Sequence, residues 1–527
     1  MRSLVAVFAA ASVCFGAYSD MAFHDLRLSE GRSFFTNNEA YNSYYLYGSP
    51  LGIFEIDSSQ MSLELGYKLK SFNQAIDNLP KRDFGTHDLT LPVFRVGEPG
   101  RAFFQAFYMP DFRWNNIDYR NGSSSAQNLP IQRFGLSVAG QTQSGSFGGA
   151  FTADGYLGSS SLEESNQADF QKTTRELLGF EKLRLDFNSK VHQTLRMGAF
   201  FQVTAHVDTL YYVVKEGEYR NEDRSFQMNI PSVGGYIDFD GGDLLPVPVH
   251  STISLQYASG RSVHTIKDGV NYPDVDALGN RDAIINDSLR FMWMAKAAVP
   301  FKGHTFKPGL LLGYANGSGK LHEPDKDNSP FKMGGILPFS HYNLGELQFG
   351  LGSGFEFLNY SDLFLEYTVT GATLKYGSFY YRYENGDRVS QGNRPNFPEQ
   401  ERKRTLHRIS FGASTQLHNY LEMPVEITPR IAYFADGFTS GAGTNYWDID
   451  AQFGGDQDKR YNPEYYLDHF QRTAGFTLGA DICAPEKGLG GAVYMTFLSI
   501  SVPGTDISAS GFELGMAFTL TIPGAGR

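Results

Sequence analysis

The stretch TLRMGAFFQVTAHV, residues 194–207, places Leu195, Met197, Ala199, Phe201, Val203, Ala205 and Val207 at odd positions, with Arg196, Gly198, Gln202, Thr204 and His206 between them. A period of two marks a β-strand whose two faces meet different surroundings. Phe200 alone is out of phase. Soluble strands average about 5 or 6 residues, whereas a tilted strand needs about 9 to 11 to cross a bilayer, so the length of this run favours a membrane wall. Taken by itself, the run fits a long strand of a soluble sandwich as well.

The same alternation fills the chain. Met61, Leu63, Leu65, Tyr67 and Leu69 form one stripe; Leu183, Leu185 and Phe187 another; Leu289, Phe291, Trp293, Ala295, Ala297 and Val299 a third. Leu347, Phe349 and Leu351 lead into Phe355 and Phe357, and Ile409, Phe411, Ala413 and Leu417 follow the same rule. Towards the end come Ala474, Phe476, Leu478, Ala480 and Ile482, then Phe512, Leu514, Met516, Phe518 and Leu520.

The connections sort by length. Short ones fall at 97–100, 141–145, 188–193, 301–303, 359–362, 418–422 and 484–490, and long polar stretches at 110–130, 157–175, 208–229, 261–286, 316–343, 377–403 and 435–469. Short turns at one rim and long loops at the other describe an up-and-down barrel with a periplasmic and an outer side. The reading is an all-β, single antiparallel transmembrane barrel of about 18 strands, with 14 or 16 if a pair such as 89–96 and 101–109 stays out of the wall. Asn316-Gly317 and Asn385-Gly386 read as hairpin turns.

Composition agrees. The chain has 57 glycines in 527 residues, near 11% against a usual level of about 7%, together with 30 Tyr and 43 Phe. Those residues suit strands, turns and membrane interfaces. A formal charge of −12 without a basic block argues against a nucleic-acid partner.

The first residues, MRSLVAVFAAASVCFGAYSD, combine one Arg, an apolar run from Leu4 to Phe15 and small residues before Asp20. This is the pattern of a secretory signal peptide over 1–19, with cleavage between 16 and 20. Bulky Val13 disfavours lipidation at Cys14, and the run is too short to be kept as a membrane helix. After cleavage Cys483 stands alone, so no intrachain disulfide is expected. The domains expected are an amino-terminal segment at 20–58, periplasmic or lumen-plugging, a barrel at 59–522 and a tail at 523–527.

In a membrane barrel the polar stripe faces the lumen, which assigns it Glu64, Lys68, Lys182, Arg184, Arg196, Gln202, His206, Glu356, Arg408 and Asp481. Both signs occur, which predicts a hydrated, weakly selective interior; ion pairs closing the lumen would use the same residues.

The last strand, SGFELGMAFTLTI, resembles the carboxy-terminal assembly signal of bacterial outer-membrane barrels through Glu513, Gly515, Phe518 and Leu520, although the chain continues through PGAGR where many such barrels stop on an aromatic residue. That resemblance implies outer-membrane lipid and the barrel-assembly machinery as partners. Residues 40–69, AYNSYYLYGSPLGIFEIDSSQMSLELGYKL, resemble the long-chain fatty-acid transporter family of outer-membrane proteins, with Ser49, Pro50, Leu51 and Gly52 where the family usually shows Asn-Pro-Ala-Gly. This second likeness implies a plug at 20–58, hydrophobic cargo and fewer strands than the 18 counted.

Other motifs are sparse. Asp274, Asp276, Asn280 and Asp282 offer oxygen ligands but lack the spacing of a calcium loop, and Asp448, Asp450, Asp456 and Asp458 read as solvated loop charge. No HExxH, GxSxG or phosphate loop occurs, so no enzyme, catalytic residue, metal or cofactor is nominated. Aromatics such as Tyr44, Tyr45, Phe107, Tyr108, Tyr212, Tyr380 and Tyr381 read as an interfacial girdle. The function expected is an outer-membrane channel or transporter for passive passage of small solutes or hydrophobic molecules. The alternatives are a plugged barrel serving as adhesin or scaffold, and a secreted soluble β-rich binding protein.

Overall fold

A computed structural model describes residues 60–74, 81–98, 102–118, 124–165, 170–215, 222–242, 245–268, 280–321, 335–357, 360–384, 387–393, 400–421, 425–440, 472–484, 487–501 and 508–523. Twenty strands make one sheet. They are β1 (Gln60–Gln74), β2 (Lys81–Glu98), β3 (Ala102–Asp118), β4 (Ser124–Gln141), β5 (Phe147–Ser165), β6 (Phe170–His192) and β7 (Leu195–Lys215). Next come β8 (Glu222–Asp240), β9 (Val249–Asp268), β10 (Asn280–Ala297), β11 (Val299–Phe301), β12 (His304–Leu321), β13 (Gly335–Phe357) and β14 (Ser361–Glu384). The last are β15 (Asp387–Asn393), β16 (Gln400–Thr415), β17 (Glu426–Ser440), β18 (Arg472–Ala484), β19 (Leu489–Ser501) and β20 (Ser508–Pro523). One helical turn, α1 (His418–Leu421), precedes β17.

Every pairing is antiparallel, and β1 pairs with both β2 and β20, which closes the sheet. Because β10 pairs directly with β12 and β14 with β16, the short strands β11 and β15 sit beside the wall, leaving 18 of the 20 strands in it. Closure satisfies every edge, the condition for a sheet without water at its rim strands. The strands 81–98 and 102–118, doubtful from sequence, both belong to the wall.

Six of the seven long stretches expected as loops hold more strand than connection, and of 435–469 only 435–440 lies within the described residues. β3 and β4 are paired from Asp118 opposite Ser124 downwards, so only 119–123 connects them, and β5 and β6 are joined by 166–169. Polar composition misled here: in β5 the residues 159–161 and 163–165 are polar at odd and even positions alike, yet they lie in the ladder. Asn316-Gly317 is not a turn either: both residues lie inside β12, opposite Gly345 and Leu344 of β13. Residues 385–386 lie outside the described residues, flanked by Glu384 opposite Asp387. At the opposite rim Lys302 (φ 48°) and Gly303 (φ 80°) make a two-residue turn between Phe301 and His304, with the left-handed backbone that matches strand twist.

The wall has two unlike faces. Large apolar side chains are exposed along one of them, as with Phe147, Phe151 and Leu157 of β5 and Leu363, Leu365 and Tyr367 of β14. On the other face lie buried polar groups such as Thr152, Arg184, Asp186 and Glu366. In β6 the exposed set changes parity, from Leu178 and Phe180 to Leu185 and Phe187, across a register shift between Phe180 and Leu183. A bulge inserts one residue and so keeps the apolar side chains on one face. Among the described residues apolar packing is confined to small groups such as Met294 with Leu311 and Ile131 with Leu177.

Candidate functional site: the polar face of the wall

The residues of 194–207 that interrupt the apolar stripe meet their partners on β6 and β8. Arg184 donates to both carboxylate oxygens of Asp186 at 2.9 and 3.0 Å, and reaches the Gln202 side-chain oxygen at 3.5 Å. Its guanidinium lies over the Phe200 ring, 3.8 Å from the ring centre. Phe200, the residue that broke the sequence pattern, therefore belongs to the polar face, where its ring also covers Gly234 of β8. Only glycine leaves room for it: an added Cβ at Gly234 would collide with the ring.

The other expected residues are distributed round the wall. His206 is buried and shares a hydrogen bond with the Tyr156 hydroxyl, spanning Gly179 of the strand between them. Lys182 lies opposite Asp154, and Arg196 opposite Asp238. The Asp238 carboxylate accepts from His250 at 3.1 Å and from the Thr252 hydroxyl at 2.7 Å. Lys307 pairs with Glu356 at 2.8 Å, Arg408 reaches Asp436 at 2.7 Å, and Arg430 reaches Asp481 at 2.7 Å. The side chain of Glu64 lies outside the described residues.

Sequence reasoning missed half of each pair. Lys307, Asp436, Arg430 and Asp238 carry no motif, and only strand register brings them to their partners, whereas Asp186 stands two residues from Arg184 on β6 and meets it within one strand. Each of these pairs joins residues of one strand or of adjacent strands, so the charges bind the wall to itself. Opposite charges side by side cancel at a few ångströms, leaving a polar face with little field of one sign.

At the closing seam, Glu513 of β20 is 0% exposed and its carboxylate meets Lys68 and Lys70 of β1, each at 2.9 Å. The Tyr494 hydroxyl of β19 donates to the same carboxylate at 2.9 Å, and the Tyr494 ring covers Gly515. Phe518 lies on the exposed apolar face. Leu520 pairs with Leu63 and Leu489. Phe107, expected at an interface, instead sits within β3 with its ring over Gly135, whereas Tyr108 beside it is exposed. Of the candidate calcium ligands, Asn280 and Asp282 are in β10 and Asp274 and Asp276 lie outside the described residues, as does the acidic run at 448–458. Among the described residues no His, Cys, Asp and Glu group forms a metal cage.

The class defined is a closed antiparallel 18-strand β-barrel whose wall is apolar and exposed on one face and ion-paired on the other. No protein-family model matches the chain, and no curated protein sequence does. Among solved structures, the chain is similar to the toluene transporter TodX of Pseudomonas putida at 10% identity, covering 94% of this chain and 97% of that one with a TM-score of 0.35. It is also similar to the CymD monoaromatic hydrocarbon channel, at 11% identity over 94% and 97% with a TM-score of 0.33. The ferric yersiniabactin uptake receptor FyuA of Yersinia pestis has 10% identity over 88% and 80% and a TM-score of 0.43. Scores of this size carry no information about function.

Proposed function

We propose that this protein is an outer-membrane channel through which small solutes or hydrophobic molecules pass down their gradient. One observation carries the reading: the closed wall exposes large apolar side chains on nearly every strand, all on one face. On β5 that stripe runs from Phe147 to Leu157 and on β7 from Met197 to Val207, ten residue steps each. At about 3.3 Å per step and a tilt of about 40°, ten steps span about 25 Å along the axis, the height of a barrel's lipid-facing band. Soluble proteins do not leave such an area open to water.

The polar face then lines the lumen, and Lys68, Lys182, Arg184, Arg196, Gln202, His206, Glu356, Arg408 and Asp481 contribute to its surface. Their pairing along the wall suits a weakly selective path for solutes. The amino-terminal 1–19 act as export signal, 20–58 enter the lumen from the rim where β1 begins, and Glu513, Gly515, Phe518 and Leu520 present the final strand to the assembly machinery.

The test is conductance in a planar lipid bilayer, with the mature chain and with 20–58 deleted. Steady steps from either protein support the channel, and steps from the deletion alone assign 20–58 as plug. Silence from both, with the barrel folded, overturns the channel in favour of a scaffold.

A further inference from the structure

Near the long-connection rim, the apolar face of β14, β16 and β18 gathers cations. Lys375 of β14, Lys403 of β16 and Arg472 of β18 are all exposed. Each has the parity of the apolar stripe on its own strand: Leu365 and Tyr367 lead to Lys375, Phe411 and Ile409 to Lys403, and Leu478 and Phe476 to Arg472. Lys403 is opposite Thr373, which puts it on the diagonal from Lys375. On the same stripe as Lys403, His407 faces Gly437 of β17 and shares a hydrogen bond of 2.6 Å with the Tyr367 hydroxyl.

Three observations give the patch its meaning. First, height: Thr373, opposite Lys403, lies ten steps beyond Leu363, and Arg472 lies ten steps beyond Ile482. With the rise and tilt used above, both cations stand about 25 Å from the lowest apolar residues of their stripes, at the boundary between hydrocarbon and head groups. Second, sign: in a chain of net charge −12, the described charged side chains on this part of the apolar face are all basic, whereas the opposite face pairs its charges. The side chain of Glu401, opposite Lys375, lies outside the described residues. Third, room: a Cβ added at Gly345 or Gly371 would meet nothing within 4 Å, and one at Gly437 only the His407 carbonyl oxygen at 4.0 Å. Bare backbone among the cations leaves a flat floor for a head group.

We propose that this surface binds one phosphorylated glycolipid of the outer leaflet, of the lipid A type. Lys375 and Lys403 donate to one phosphate and Arg472 to a second, while the sugar rings lie over Gly345, Gly371 and Gly437. The acyl chains run down Leu347, Leu365 and Ile409, which are 65%, 54% and 47% exposed. Lys375 and Arg472 are three strand spacings apart, about 14 Å, which suits a head with a phosphate at each end. Charge-assisted hydrogen bonds to phosphate are strong, and a basic cluster at head-group depth attracts anionic lipid. A head with a single phosphodiester engages one end of the patch and leaves the other. The site rests on the reading that the apolar face contacts lipid, with the long connections outside.

The test uses the full mature chain folded in dodecyl maltoside micelles, its folded state read by the heat-dependent gel shift. Native mass spectrometry follows titration with diphosphoryl lipid A, the same lipid with both phosphates removed, and phosphatidylglycerol. The expected result is one retained diphosphoryl lipid A per barrel, bound about tenfold more weakly by Lys403→Gln, as follows from losing one charge-assisted hydrogen bond. Lys403→Gln combined with Arg472→Gln abolishes retention, and Lys190→Gln, an exposed lysine at the short-turn rim, leaves it unchanged. Equal retention of all three lipids, or indifference to the Lys403 and Arg472 substitutions, overturns the site while leaving the membrane reading intact. A wild-type chain that shows the gel shift yet stays in the aqueous phase beside lipid vesicles overturns the membrane reading itself, and the site with it.

Discussion

The guanidinium of Arg184 lies 3.8 Å from the centre of the Phe200 ring while its nitrogens hold the Asp186 carboxylate. A charge 4% exposed and a carboxylate 1% exposed thus share one solution to burial, a pair roofed by an aromatic face.

Breaking that pair from one side is therefore costly. Arg184→Met leaves Asp186 buried without its cation and lowers stability by about 3–5 kcal/mol, whereas Arg184→Met combined with Asp186→Leu loses much less. Urea unfolding in liposomes separates the two, and equal losses would show that the pair does not act as a unit.

The seam behaves similarly. Glu513→Gln removes the charge that Lys68 and Lys70 share, so the barrel opens on heating at a lower temperature in the gel-shift assay. Asp362→Asn is the control: its carboxylate is 52% exposed and 3.7 Å from Lys307, and the change stays within about 0.5 kcal/mol.

Gly515 is expected to tolerate no side chain. Gly515→Ala drives a Cβ into the Tyr494 ring and lowers refolding stability by about 1–3 kcal/mol, and adding Tyr494→Ala to it recovers part of the loss. Tyr494→Phe keeps the ring over Gly515 and tests the hydrogen bond to Glu513 alone.

The proposed lipid contact is tested by a charge scan of β5. Phe151→Arg, in the middle of the exposed stripe, costs about 2–4 kcal/mol, and Ser159→Arg, at its edge, about 0–1 kcal/mol. A flat profile would remove the lipid from this face.

The architecture was legible because its signal is local. Alternation in residues such as Leu195, Met197 and Phe201 needs no knowledge of neighbours, and such runs with the turns between them gave a count of about 18 strands, 14 or 16 being the alternatives. The end of β5 between 159 and 165 was hidden because polar residues at odd and even positions alike erase the period, and pairing with the next strand holds it extended all the same. Asn316-Gly317 carried a turn signal that two neighbouring ladders overrode. Glu513 and Gly515 stood out as a pattern, yet why a Glu and a Gly belong there depends on Lys68, Lys70 and Tyr494, up to 445 residues away in the chain.

By itself, then, the sequence determined a β-barrel with one oily and one polar face, because hydrophobic periodicity is written in each strand separately. Only the tertiary structure decided which charges pair, that Phe200 is a roof for Arg184 instead of an error in the stripe, and that Lys375, Lys403 and Arg472 come together on the apolar face. Those outcomes depend on register between strands, and register is fixed by closing the whole ring of hydrogen bonds at once.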